Sequence, residues 1–248
     1  MSEHIPLIVH VSDEAGVPDG GGSVSAVPVG MLETAAYAAA VGRTLVAGPL
    51  PSDAALERLI DPTGGVQIAY SSRHGIYHGV PEGRRAALAA IEQHFGVALL
   101  YGTRRFGNCT GELLLVDAAH ANQQEADQFK ALCWERFGLD SLRHSANAEY
   151  NLAMATARPL LAAVEALALD GGGHYSRPVL LAHGWAAMPA ALAAQMNHPA
   201  QWRTVFYAHE MPAARRLVEE KPGHDTAFYN VLTKAKEWNL SLEAVYGS

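Results

Sequence analysis

The chain is poor in several features that mark common protein classes. It has 248 residues and only two cysteines, Cys109 and Cys133, which excludes a disulfide framework and a cysteine-rich zinc site. Charged residues make up 17% and apolar residues 49%, which excludes a disordered chain. It lacks the run of about 18 apolar residues that a membrane-spanning helix needs. It also lacks the basic-then-apolar start of a secretory signal. We therefore expect two free thiols in or near the core of a soluble, cytoplasmic protein without membrane contact.

Positive charge is also scarce. The chain has 18 basic and 25 acidic residues, for a net charge of −7, whereas nucleic-acid binding requires a basic face. Among the 12 histidines no spacing indicates a metal site, and the glycines beside His74 and His78 indicate a loop. The chain also lacks the Gly-x-Ser-x-Gly motif of serine hydrolases. We expect no nucleic-acid partner, no metal and no cofactor.

The sequence alternates between strand-like and helix-like segments. Residues 7–11 are apolar and β-branched, which is typical of a buried strand. Residues 23–41 are alanine-rich with apolar residues at helical spacing, and residues 43–47 predict the next strand. A strand–helix–strand unit of this length joins parallel strands, so we expect a parallel sheet.

The same alternation continues along the chain. Further strands are predicted at residues 66–70, 97–101, 112–116, 178–182 and 202–207, and further helices at 83–94, 123–137, 147–169, 188–196, 213–220 and 225–235. The pattern predicts a Rossmann-like, doubly wound α/β fold, with a mostly parallel sheet and helices on both faces. We find no linker or repeat and expect one domain over residues 1–248. Because no strand follows the last helix, we interpret the chain as one domain of a longer protein.

Ligands of open parallel sheets bind beyond the carboxyl ends of the strands, so the segments there are candidate sites. The first such segment contains Gly20, Gly21 and Gly22 ahead of a helix, where free backbone N–H groups favour an anion such as a phosphate. The glycine spacing matches neither a P-loop nor a dinucleotide fingerprint. A flexible surface loop explains these glycines equally well.

His183 and Trp185 directly follow the strand predicted at residues 178–182. A histidine there can bond a hydroxyl or a phosphate, and a tryptophan offers a flat face to a sugar ring. Taken alone, however, the two residues favour a packed His–Trp pair.

Two more segments carry polar side chains of interest. His209 and Arg215 follow the strand predicted at residues 202–207 and suit an anionic or polyol ligand, although a surface charge pair explains them too. Glu149 and Asn151 open a long helix and could reach sugar hydroxyls. Helix capping by Asn147, with Glu149 near the positive helix end, is the simpler explanation.

At these places the sequence resembles the glycogen synthases, most closely the animal and fungal type. The segment Ala182-His183-Gly184-Trp185 resembles the family's His-Glu-Trp or His-Asp-Trp, with Gly184 in place of the acid. Residues 207–215 resemble Thr-His-Ala-Thr-Leu-Leu-Gly-Arg, and residues 222–232 resemble Asp-Phe-Tyr-Asn-Asn-Leu in the same order and nearly the same spacing. The likeness extends over nearly the whole chain and corresponds to the N-terminal half of those enzymes.

The resemblance implies the acceptor-side domain of a retaining GT-B glycosyltransferase. Such an enzyme moves glucose from UDP- or ADP-glucose to an α-glucan or related saccharide without a metal ion. Catalysis would need a C-terminal domain that binds the nucleotide sugar and that this chain lacks, so the chain alone would be inactive. The resemblance makes His183 the catalytic residue, and it implies substrate binding by a set of seven residues: Gly21, Gly22, Glu149, Asn151, Trp185, His209 and Arg215.

Two alternatives remain open from the sequence. One is a stand-alone, non-catalytic saccharide-binding or regulatory module with a glycosyltransferase-like fold. The other is an unrelated nucleotide-binding Rossmann domain, against which the missing fingerprint counts. The sequence does not decide the oligomeric state.

Overall fold

The computed structural model describes residues 7–15, 23–50, 53–60, 65–106, 109–168 and 178–209. The chain divides into two compact units, Met1–Tyr207 and Ala208–Ser248. All described strands and helices belong to the first unit, and only Ala208 and His209 of the second are described. The helices predicted at residues 213–220 and 225–235 lie outside the described residues.

The described strands form one seven-stranded sheet. They are β1 (Leu7–Ser12), β2 (Arg43–Pro49), β3 (Val66–Ser71), β4 (Ala98–Phe106), β5 (Cys109–Asp117), β6 (Val179–His183) and β7 (Arg203–Tyr207). Their order across the sheet is β3-β4-β5-β2-β1-β6-β7. β5, β2, β1, β6 and β7 pair in parallel, and β4 runs antiparallel to both of its neighbours. The predicted mostly parallel, Rossmann-like α/β sheet is therefore confirmed.

Helices cover both faces of this sheet. They are α1 (Ser23–Leu32), α2 (Ala35–Ala40), α3 (Asp53–Ile60), α4 (Glu82–Phe95), α5 (Gln123–Phe137), α6 (Ala148–Ala168) and α7 (Met188–Asn197), with 3-10 turns at Ser141–His144 and Trp185–Ala187. One core contains α4, α5, α6 and α7 residues together with Leu45 and Ala47 of β2. A second core, on the opposite face, contains α1 and α3 residues together with Val46 of the same strand. Successive side chains of β2 thus enter opposite cores, as a doubly wound sheet requires.

The direction of β4 differs from the sequence pattern, which predicted a repeated parallel unit over residues 66–101. Phe106 at the end of β4 pairs with Cys109 at the start of β5. A connection this short closes a hairpin and cannot make the crossover that parallel strands need. Arg104 and Arg105 continue β4 beyond its predicted end at residue 101. Arg104 is buried, although a charged residue is typical of a surface position, so the sequence pattern did not indicate a strand there.

The helix predicted over residues 23–41 is two helices. Thr34 caps α2, because its side-chain oxygen accepts a hydrogen bond from the Tyr37 backbone N–H at 3.2 Å. A threonine at this position ends one helix and begins another. The sequence pattern also did not predict α3, whose Leu56 and Leu59 are buried in the second core.

Candidate functional site

A cleft of about 170 Å³ opens at the carboxyl ends of β1 and β2. In the chain, β1 is followed by α1 on one face of the sheet, whereas α6 on the other face leads into the neighbouring strand β6. The connections therefore diverge between β1 and β6. Such a switch point is the place where open α/β sheets bind their ligands.

The walls of the cleft are mostly apolar. They come from α6, from the start of α7 with the 3-10 turn before it, and from the ends of β1 and β2: Val11, Pro49, Leu50, Leu152, Ala153, Ala157, Leu160, Ala186, Ala187 and Ala190. Four polar residues complete the described lining, namely Ser12, Asp13, Glu149 and Thr156. An apolar cavity with a few converging polar groups is typical of a small-molecule site.

Thr156 and Ser12 are the two buried residues among these four. The Thr156 side chain is buried, with 4% of the residue exposed, and within the described ranges its Oγ1 has no hydrogen-bond partner. Glu149 lies seven residues earlier in α6, so the two occupy one face of the helix, two turns apart. A buried hydroxyl without a partner costs about 1–3 kcal/mol, which a ligand group could recover.

Asp13 and Glu149 give the cleft its negative charge. Burial is the largest cause that raises the pKa of Asp13 above its usual value, and repulsion from Glu14 is the second. Backbone hydrogen bonds partly offset the rise, and the Glu149 carboxylate adds a smaller increase. Asp13 is nevertheless an exposed residue. It is therefore repelled by neighbouring carboxylates and also accessible to a ligand.

Of the residues that the resemblance implicated at the start of α6, Glu149 lines the cleft and Asn151 does not. Asn151 Nδ2 donates to the Ser145 carbonyl at 2.8 Å, and Asn151 Oδ1 accepts from Lys130 Nζ at 3.0 Å. Asn147 Oδ1 accepts from the Tyr150 N–H at 3.0 Å, as an N-cap does. Asn147 and Asn151 thus organise the start of the helix, and Glu149 faces the cleft.

His183 ends β6 with a fully buried side chain, and its ring does not line the cleft. The ring meets that of His10 in β1 edge to edge, with 2.9 Å between His183 Nε2 and His10 Nδ1 and 18° between the ring planes. Trp185 is half-buried and packs against the core on the α6 side. Between them Gly184 has φ +75° and ψ 173°, and its N–H donates to the Tyr207 carbonyl at 3.0 Å.

The histidine pair belongs to a longer chain of polar side chains. His10 Nε2 lies 2.8 Å from the Tyr37 hydroxyl, which lies 3.0 Å from Thr44 Oγ1. Burial, and secondarily His183, lowers the pKa of His10 to about 3, so its imidazole is neutral. A neutral imidazole has one donor and one acceptor nitrogen. Hydrogen bonds can therefore run in either direction from β2, through α2 and β1, to the end of β6.

The remaining predicted site residues are Gly21, Gly22, His209 and Arg215. Gly21, Gly22 and Arg215 lie outside the described residues. His209 follows β7 by two residues and belongs to the second unit. In the described ranges no three His, Cys, Asp or Glu side chains are grouped to hold a metal ion. None of the helices in those ranges combines the length and apolar character that crossing a bilayer requires.

Sequence reasoning missed several residues of this region. Asp13 opens the first candidate segment, directly after β1, but only the glycines of that segment received a role from the sequence. Thr156 carried a signal, since it lies two helical turns after Glu149 on an otherwise apolar face. His10 and Tyr37 gave none, because their contacts depend on the packing of α2 against β1.

The comparisons with protein-family models and with curated proteins found no relative. No protein-family model matches the sequence, and no curated protein matches it significantly. The resemblance to glycogen synthases therefore depends on the short motifs alone.

Proposed function

We propose that the chain is the acceptor-side domain of a retaining glycosyltransferase that moves glucose from a nucleotide sugar to an α-glucan or related saccharide. The observation that supports this most is the cleft at the switch point, which has apolar walls and the polar residues Glu149 and Thr156. Sugar rings offer C–H faces to apolar walls and hydroxyls to such polar groups. Glu149 is also a residue to which the motif resemblance gave a substrate-binding role.

In this proposal the saccharide acceptor occupies the cleft. A C-terminal domain with the same ancestry as that of the glycogen synthases would bind UDP- or ADP-glucose. His183 would face the transferred sugar, and its neighbour Trp185 would border it. The buried bond between His183 and His10 would then fix the orientation of the His183 ring.

A second candidate is a saccharide-binding or regulatory module without catalysis. The observation in its favour is the complete burial of His183, whose ring contacts His10 and does not line the cleft. In that case the cleft would still bind a saccharide, and His183 would serve packing alone.

Two measurements test the proposal. In the first, maltooligosaccharides are titrated into the full chain while the methyl resonances of Leu152, Ala153 and Thr156 are followed by NMR. Glu149→Gln should weaken binding by roughly 10-fold, the loss of one hydrogen bond to a charged group. Glu135→Gln changes an exposed acid on α5 that does not line the cleft, so it should leave binding unchanged.

The second measurement is transfer of labelled glucose from UDP- and ADP-glucose by the natural full-length protein. His183→Ala should lower kcat more than it raises the acceptor KM. The lost transition-state stabilisation should be about 2–4 kcal/mol. An unchanged kcat would leave His183 a packing residue and favour the second candidate. Absence of any methyl shift with maltooligosaccharides would refute both candidates for a glucan ligand.

A further inference from the structure

We propose that the cleft selects a saccharide that carries a protonated amine, an amino disaccharide, over its neutral counterpart. This inference deepens the proposed function, because it concerns the ligand of that same cleft. Two separate features of the cleft support it, its carboxylates and its buried hydroxyl.

The first feature is the sign of the charge. Among the described residues that line the cleft, both ionisable side chains, Asp13 and Glu149, are acids, and none is Lys, Arg or His. Glu14 lies beside Asp13 and adds to the local repulsion. A ligand ammonium group at this position would relieve repulsion that a neutral hydroxyl leaves in place. A phosphate or carboxylate on the ligand would increase it.

The second feature is the hydroxyl of Thr156. It is buried in the cleft lining and lacks a hydrogen-bond partner in the described part of the chain. Charge alone does not create such an unsatisfied group, so this observation is independent of the acids. A ligand hydroxyl is a matched partner, since both groups can donate and accept.

The spacing of the two features sets the size of the ligand. Glu149 and Thr156 are seven residues apart in α6, and their Cα atoms are therefore separated by about 10 Å along the helix axis. A disaccharide can place its ammonium group near Asp13 and Glu149 and a hydroxyl near Thr156, with its rings against Leu152 and Ala153 between them.

Three β-1,4-linked disaccharides that differ only at the two C2 substituents test the inference. They carry ammonium groups (the glucosamine disaccharide), acetamido groups (its N-acetylated form) or hydroxyls (cellobiose). Each is titrated into the full chain at pH 6.5 and low salt, with the methyl resonances of Leu152 and Ala153, which every variant keeps, as the reporters of occupancy. We expect the ammonium form to bind at least about 10-fold more tightly than either neutral form, the ratio that about 1.4 kcal/mol produces.

Variants separate the two features. Asp13→Asn and Glu149→Gln should each reduce the preference for the ammonium form several-fold and affect the neutral forms less. Glu135→Gln, the matched control on α5, should leave the preference intact. Thr156→Val should weaken all three ligands by a similar factor. It should also raise the melting temperature, because it removes a buried, unsatisfied hydroxyl at nearly constant volume. A threonine with a purely structural role would not combine these two effects.

The outcomes also distinguish this inference from the proposed function. Equal affinity for the three disaccharides would overturn the inference and leave saccharide binding intact. A preference that persists in the Asp13→Asn/Glu149→Gln double variant would overturn it as well, as would absence of any Thr156 methyl shift. If the ammonium form is preferred while the full-length protein transfers no glucose, the inference stands and the proposed glucosyltransferase activity fails.

Discussion

Acidification should destabilise the protein through His10. The pKa of this buried imidazole is lowered from 6.5 to about 3, first by burial and second by His183. Between these two values the unfolded chain binds one proton more than the native chain at this residue. The free energy of unfolding therefore rises with pH at about 1.4 kcal/mol per pH unit. The contribution of His10 is complete above pH 6.5 and is lost as the pH falls towards 3. Lowering the pH from 6.5 to 5 should cost about 2 kcal/mol.

Urea unfolding of the wild type and of His10→Gln, measured at several pH values between 5 and 7.5, isolates this contribution. The variant should be less stable at pH 7.5 by about 1–3 kcal/mol, because it disturbs the bonds to His183 and Tyr37. Its free energy of unfolding should nevertheless fall less steeply as the pH is lowered. The difference in stability between the wild type and the variant should shrink by about 2 kcal/mol between pH 7.5 and pH 5. His78→Gln, at an exposed histidine, should run parallel to the wild type. Parallel curves for His10→Gln and the wild type would refute the reasoning.

Three further predictions concern stability, each measured by calorimetry and urea unfolding. A Cβ added to Gly48 would collide with the Ser12 carbonyl, so Gly48→Ala should lower the free energy of unfolding by about 2 kcal/mol or more. An unchanged urea midpoint would mean that β1 and β2 separate at this point without cost. Glu92 accepts from three donors through two oxygens, so Glu92→Gln, which leaves one acceptor oxygen, should cost about 1–3 kcal/mol. Trp202→Phe keeps an aromatic ring but removes the Nε1 hydrogen bond to Glu165 at 3.0 Å, and it should also lower the free energy of unfolding by about 1–3 kcal/mol. If the same loss of stability appears in a Glu165→Ala background, it comes from packing and not from the hydrogen bond.

The parts of the fold that depend on local pattern could be predicted from the sequence. Leu7–Ser12 is apolar and partly β-branched, and α5 matches its predicted bounds, 123–137, because Asn122 caps it and Gly138 ends it with φ +67°. The direction of β4 could not be predicted, because it depends on a hairpin with β5 and the buried Arg104 resembles a surface residue.

The candidate site divides in the same way. Glu149 was identifiable because it opens a long helix and lies in a motif that resembles the glycogen synthases, and both are local features of the sequence. The bond between His10 and His183 joins residues 173 positions apart, and no spacing along the chain indicates it. The missing partner of Thr156 is likewise a property of what surrounds the side chain. The sequence shows only its position, two turns after Glu149 on an apolar helix face.

The backbone at Gly184 restricts how this site could change by mutation. Its φ of +75° with ψ of 173° belongs to a region that only glycine occupies without strain, and L-residues there cost about 1–3 kcal/mol. Glycogen synthases carry an acid at the matching position of the motif, so a single mutation to Asp or Glu would either strain the turn or break the Gly184–Tyr207 bond that joins the ends of β6 and β7. A change from His-Gly-Trp to the acid-containing motif therefore requires residue 184 to change its side chain and its backbone conformation together. A mirror-image residue, D-alanine introduced by chemical synthesis, should be accepted at residue 184 where L-alanine is not.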